Sequence, residues 1–120
     1  MRPTRTLAVT AAVAAVGLTA APAAFGHAEV KQRTPGPGKT VSKVRTVKVT
    51  FSESVVTGLI TVTRGGTTVK PAKDGLAPKN HAVLRARFAK PLPNGRYTVN
   101  WRSLADDGHR QSGSWSFTVR

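Results

Sequence analysis

Apolar and polar residues alternate along most of this chain. In Val44 to Phe51, Val47, Val49 and Phe51 fall on one side and Lys48 and Thr50 on the other. That is the period-two pattern of a strand with one buried face. Val83 to Phe88 repeats it, with Leu84, Ala86 and Phe88 inward and Arg85 and Arg87 outward. The two strongest strands come last: Arg96 to Leu104 aligns Tyr97, Val99 and Trp101, and Ser114 to Val119 aligns Trp115, Phe117 and Val119. Leu59 to Thr63 is rich in β-branched residues and reads as a further strand. His27 to Arg33 is a short strand-like segment.

Turn chemistry separates these segments. Thr34-Pro35-Gly36-Pro37-Gly38 breaks regular structure, and Pro91-Leu92-Pro93-Asn94-Gly95 forms a turn. Gly65-Gly66 is a hairpin signal that makes Thr67 to Lys70 the returning strand. Pro71 to Lys79, with Asp74-Gly75 and Pro78, reads as a connecting loop, and Asp106 to Gly113 as the connection between the last two strands. No helical period of any length occurs after residue 26. About seven short strands with closely spaced turns predict an all-β fold, an antiparallel Greek-key sandwich or barrel of immunoglobulin-like type. Tyr97, just after the Pro-Asn-Gly turn, is placed to bond nearby backbone in the manner of a tyrosine corner.

Residues 1–26 have a different character. Arg2 and Arg5 precede an apolar run from Leu7 to Ala21, and small residues follow in Ala23-Ala24-Phe25-Gly26. This is the layout of a secretory signal peptide cut between Gly26 and His27. The apolar run is shorter than the roughly 20 residues that span a bilayer. The expectation is therefore a leader, 1–26, and one exported domain, 27–120, in the periplasm or outside the cell. With no cysteine in the sequence, that domain is held by packing alone.

The formal charge of +14 falls to +12 once Arg2 and Arg5 are removed. The cations are scattered singly at solvent-facing positions, with no run of five and no interleaved aromatic residues. Specific nucleic-acid binding is not expected. A charge this high still attracts polyanions without sequence preference.

The candidate chemistry lies in Ala105-Asp106-Asp107-Gly108-His109. The sequence has only five carboxylates and three histidines, and this stretch holds two of the former and one of the latter. Gly108 allows the carboxylate of Asp107 and the ring of His109 to turn toward one point. As a new first residue, His27 offers its α-amine and its own Nδ1 to one metal ion. With His109 this gives three nitrogens, a set that suits Cu(II), and Asp107 adds an oxygen. The same Asp-Gly pair also serves ordinary turns, with the aspartate bonding its own backbone. Glu29 and Asp106 stand next to the key residues and are candidates to orient them. His81, at the head of a strand, reads as solvent-exposed.

The region after the leader resembles the CopC family of bacterial copper-binding proteins over nearly its whole length. The resemblance is carried by His27-Ala28, Thr34-Pro35, Val49 to Val55, Gly95 to Ser103, Ala105 to His109 and Ser112 to Phe117, in that order. It implies a cupredoxin-like or immunoglobulin-like β fold that holds one Cu(II), with His27, Asp107 and His109 as ligands. It also implies a CopD-like membrane importer as partner. The family's methionine-rich Cu(I) site is not expected here, because the single methionine is Met1. Ser54 and Arg110 stand where the family often has proline, and neither is a proposed ligand.

The reading is thus of a monomeric copper-binding protein of copper resistance or homeostasis, not an enzyme. Two other classes remain. An N-terminal histidine with a second histidine also forms the copper brace of polysaccharide monooxygenases, although no exposed aromatic platform is evident. A basic polyanion-binding surface domain is supported by charge alone.

Overall fold

The structure is a computed structural model, and it describes residues 28–120. Among the described residues there is no helix. Nine strands form two sheets: β1 (Val30–Thr34), β2 (Thr40–Val41), β3 (Thr46–Phe51), β4 (Thr57–Arg64), β5 (Thr67–Thr68), β6 (Lys73–Ala77), β7 (Asn80–Arg87), β8 (Gly95–Leu104) and β9 (Arg110–Val119). One sheet has the order β1-β3-β7-β6 and the other β2-β9-β8-β4-β5. All pairings are antiparallel except β2 with β9, where Thr40 and Val41 run parallel to Thr118 and Val119.

The alternating positions make the core. Val47, Val49, Phe51, Leu84 and Ala86 of the four-stranded sheet face Ile60, Val62, Tyr97, Val99, Trp101, Trp115, Phe117 and Val119 of the other. Each large side chain removed from water in this way contributes roughly 1.5–3 kcal/mol. Phe51 meets Trp101 edge-on across the two sheets at 5.2 Å, and Tyr97 stacks on Phe117 at 5.4 Å. The Tyr97 hydroxyl donates to the Pro93 carbonyl, the expected corner. Trp115 Nε1 donates to the Pro35 carbonyl at 2.8 Å and ties the loop after β1 to the last strand.

Three expectations change. Pro71 to Lys79 is not wholly a loop, since Lys73–Ala77 pairs with β7 as an edge strand. An edge tolerates the glycine and nearby prolines that a central strand would not. The last strand begins at Arg110 rather than Ser114, so the connection to it is only Ala105 to His109. The count is nine rather than about seven, because the two-residue strand β2 and the edge strand β6 join the sheets. The Gly65-Gly66 hairpin is as expected: both residues have positive φ, 56° and 80°, as a type I′ turn requires.

Candidate metal centre

Four chain segments meet at one end of the sandwich. Ser52, just past β3, donates its N–H to the Glu29 carbonyl at 2.7 Å, and its Oγ accepts the Glu29 N–H at 2.9 Å. Val55 N–H bonds the His81 carbonyl at 3.0 Å, and Val56 N–H bonds the Leu104 carbonyl at 2.8 Å. Ala28, Val55 and Ala105 are buried beneath these links. The chain therefore enters the described fold at the end where β8 turns into β9.

That turn is short and tightly bonded. Ala105 N–H reaches the His109 carbonyl at 2.9 Å, and Gly108 N–H reaches the Ala105 carbonyl at 3.0 Å. Gly108 has φ of 85°, in the left-handed region that glycine enters at low cost. Asp107 Oδ1 accepts the His109 N–H at 3.0 Å, and Asp107 Oδ2 lies 2.6 Å from His109 Nδ1. The first contact is the self-bonding turn and the second is a carboxylate–imidazole pair. The residue pattern allowed for either, and the structure has both at once.

The second contact has a chemical consequence. A carboxylate that accepts from Nδ1–H leaves the lone pair of the ring on Nε2, the arrangement in which imidazole binds metals. The His109 side chain is 58% exposed and the Asp107 side chain 25%, so solvent reaches both.

Asp107 and His109 are thus brought together. His27 lies outside the described residues, as do residues 1–26, where a leader is expected. Among the described residues no group of three His, Cys, Asp or Glu side chains has a metal-binding arrangement. Glu29 joins the site's framework through its backbone, and the carboxylate that meets His109 belongs to Asp107, not Asp106. His81 is exposed at the start of β7 and contributes its carbonyl to the framework. Ser52 is the framework residue that the sequence did not single out. It reads there only as part of an exit loop, and its bonds to Glu29 span 23 positions.

A model of the CopC domain matches residues 30–120. The chain belongs to the CopC family. Copper resistance protein C of Xanthomonas campestris pv. juglandis is 30% identical, over 97% of each chain. Copper resistance protein C of Escherichia coli is 28% identical, over 81% of this chain and 84% of the relative. Among solved structures, PcoC, a methionine-rich copper resistance protein from Escherichia coli, superposes with a TM-score of 0.69 at 26% identity. That match covers 78% of this chain and 99% of PcoC. CopC from Methylosinus trichosporium OB3b shares the fold, with a TM-score of 0.66 at 24% identity over 78% of this chain and 93% of that one. CopC membership makes this chain a copper resistance protein with a copper-binding role rather than an enzyme. No helix among its described residues is long and apolar enough to cross a membrane.

Proposed function

We propose that this CopC protein is exported, loses residues 1–26, and holds one Cu(II) per chain for copper resistance or homeostasis. The ion is bound by the α-amine and Nδ1 of His27, an oxygen of Asp107 and Nε2 of His109, the carboxylate exchanging its contact with Nδ1 for the ion as the ion enters. The observation that carries this reading is the Asp107–His109 pair, at the end of the sandwich where Ala28 and Glu29 are anchored. Two candidate ligand side chains stand together there, and an N-terminal histidine supplies a nitrogen chelate. Nitrogen-rich sites of this kind favour Cu(II) over Zn(II) and Ni(II).

The sequence has one methionine, Met1. The mature protein would therefore lack a methionine-rich Cu(I) site, in contrast to the methionine-rich composition of PcoC. The protein works as a monomer in the periplasm or cell exterior and hands copper to a CopD-like membrane importer.

The test is Cu(II) titration of residues 27–120 with electron paramagnetic resonance of the loaded protein. One ion per chain is expected. His109→Ala should alter the nitrogen pattern of the spectrum, and His81→Ala should leave it unchanged. A His109→Ala spectrum identical to wild type would remove His109 from the site.

A further inference from the structure

The outward face of the β1-β3-β7-β6 sheet carries chemistry that the metal centre does not use. β3 and β7 bury Val47, Val49, Leu84 and Ala86, so Lys48, Arg85 and Arg87 point away from the core. The register sets Lys48 directly opposite Arg85, and Lys73 of β6 opposite Arg87. Like charges facing each other across a ladder destabilise a sheet. Asp74, the one carboxylate on these strands, pairs with Ala86 one step out of phase. Among the described residues none of the four cations is ion-paired; the only such contact is Asp107 with His109.

Lys73, Arg85 and Arg87 line a shallow cavity of about 160 Å3, with Asp74 and Gly75 in its wall. Gly75 lies opposite Arg85 at φ +116°, and nothing stands within 4 Å of where its Cβ would be. The cavity thus has a bare stretch of backbone in its wall, cations around it, and room for a tetrahedral anion.

We propose that this face docks the protein onto an anionic phospholipid surface, with headgroup phosphates taken up between Lys73, Arg85 and Arg87 and beside Lys48. The chemistry of the face selects this occupant. Every aromatic side chain among the described residues is buried, so no platform exists for stacking nucleic-acid bases. Protein interfaces centre on aromatic and arginine anchors in fully desolvated pockets, and this face has arginines without an aromatic partner. The exposed large apolar residues, Val56 and Leu59, lie instead on the β3–β4 loop and on β4 of the other sheet. A flat array of unpaired cations needs only a flat array of anions. Each lysine or arginine near such a surface contributes about fivefold in partitioning, so two contribute about 30-fold.

Sedimentation of residues 27–120 with vesicles tests this. Binding is expected to phosphatidylglycerol–phosphatidylcholine vesicles at low salt and not to phosphatidylcholine alone. It should weaken as salt rises and be the same with and without copper, which separates it from the fate of the metal reading. Arg85→Gln with Arg87→Gln should lower partitioning about 30-fold, and Lys48→Gln with Lys73→Gln should match it. Removing like-charge contacts should leave thermal melting unchanged or raised, so lost binding will not reflect lost folding. The charge-matched control, Arg96→Gln with Arg102→Gln on the outer face of the other sheet, should change partitioning less than about threefold. No binding to acidic vesicles would overturn the proposal, as would equal losses in the control and test pairs. Full displacement by inorganic phosphate at matched ionic strength would also overturn it, by showing a single-anion site instead of a surface.

Discussion

Replacing Asp107 by asparagine separates the two contacts its carboxylate makes. The amide oxygen can still accept the His109 N–H that Oδ1 accepts now at 3.0 Å, so the turn survives. The amide nitrogen cannot accept from Nδ1–H as Oδ2 does at 2.6 Å. Nδ1 is then free to carry the lone pair, and the proton moves to Nε2, the atom proposed to meet copper. Both side chains are partly solvated, at 58% for His109 and 25% for Asp107, so the lost pair costs the fold only about 0.2–1 kcal/mol. For a domain of this size that lowers the melting temperature by less than about 8 °C. The metal is affected far more. Loss of a carboxylate that orients a metal-binding histidine costs about 10–100-fold in affinity, or about 1.4–2.7 kcal/mol. Because Asp107 is proposed to leave this contact and give the entering ion an oxygen, its loss as a ligand puts the expected cost at the upper end. Competitive Cu(II) titration beside a thermal melt reads both quantities. Affinity within threefold of wild type would refute the assignment of the proton to Nδ1 and of Asp107 to the site.

Two further changes probe the scaffold beneath the site. A methyl group on Gly113 would stand 2.9 Å from Trp101 Cε2, Cζ2 and Nε1, so Gly113→Ala should destabilise by about 1–3 kcal/mol in chemical denaturation; no measurable loss would mean that the Trp101 ring moves aside freely over its partner strand. Burial raises the Tyr97 phenol above its usual value of 10.0, against the opposing pull of the Arg64 guanidinium. The folded state then holds that proton more tightly than the unfolded chain, so this part of the stability is intact below pH 10 and is lost as pH rises beyond it. Tyr97→Phe should flatten that alkaline decline. It should also cost about 0.5–1.5 kcal/mol at neutral pH through the lost bond to Pro93. As the sequence has one tyrosine, phenolate absorbance follows the group directly.

The strands that make the core were legible because each carries its own apolar stripe: Val47-Val49-Phe51, Leu84-Ala86 and Tyr97-Val99-Trp101 need no partner to be read. The first half of β9 was not legible. Its inward positions next to Trp115 include Gly113, and the space above that glycine is filled by Trp101 from β8. The apolar signal for that part of β9 therefore lies on its neighbour. β6 was hidden by Asp74-Gly75 and the prolines around it, which mark a loop unless the segment sits at a sheet edge, and edge position is a property of the fold. Within the site, Asp107-Gly108-His109 was readable as a unit because three adjacent residues close one turn. The Ser52–Glu29 link joins positions far apart in sequence and leaves no pattern in either.

The most direct test of the central claim is to compare Cu(II) affinity of a domain beginning at His27 with that of the same domain carrying one glycine ahead of it. The added residue leaves every side chain in place and only moves the α-amine away from the His27 ring. The account predicts that the glycine form loses most of its affinity and that its resonance spectrum changes. Both forms should lose copper as pH falls and protons compete for the nitrogen donors. Equal affinity and identical spectra in the two forms would contradict it, because the amine of residue 27 would then have no part in holding the metal.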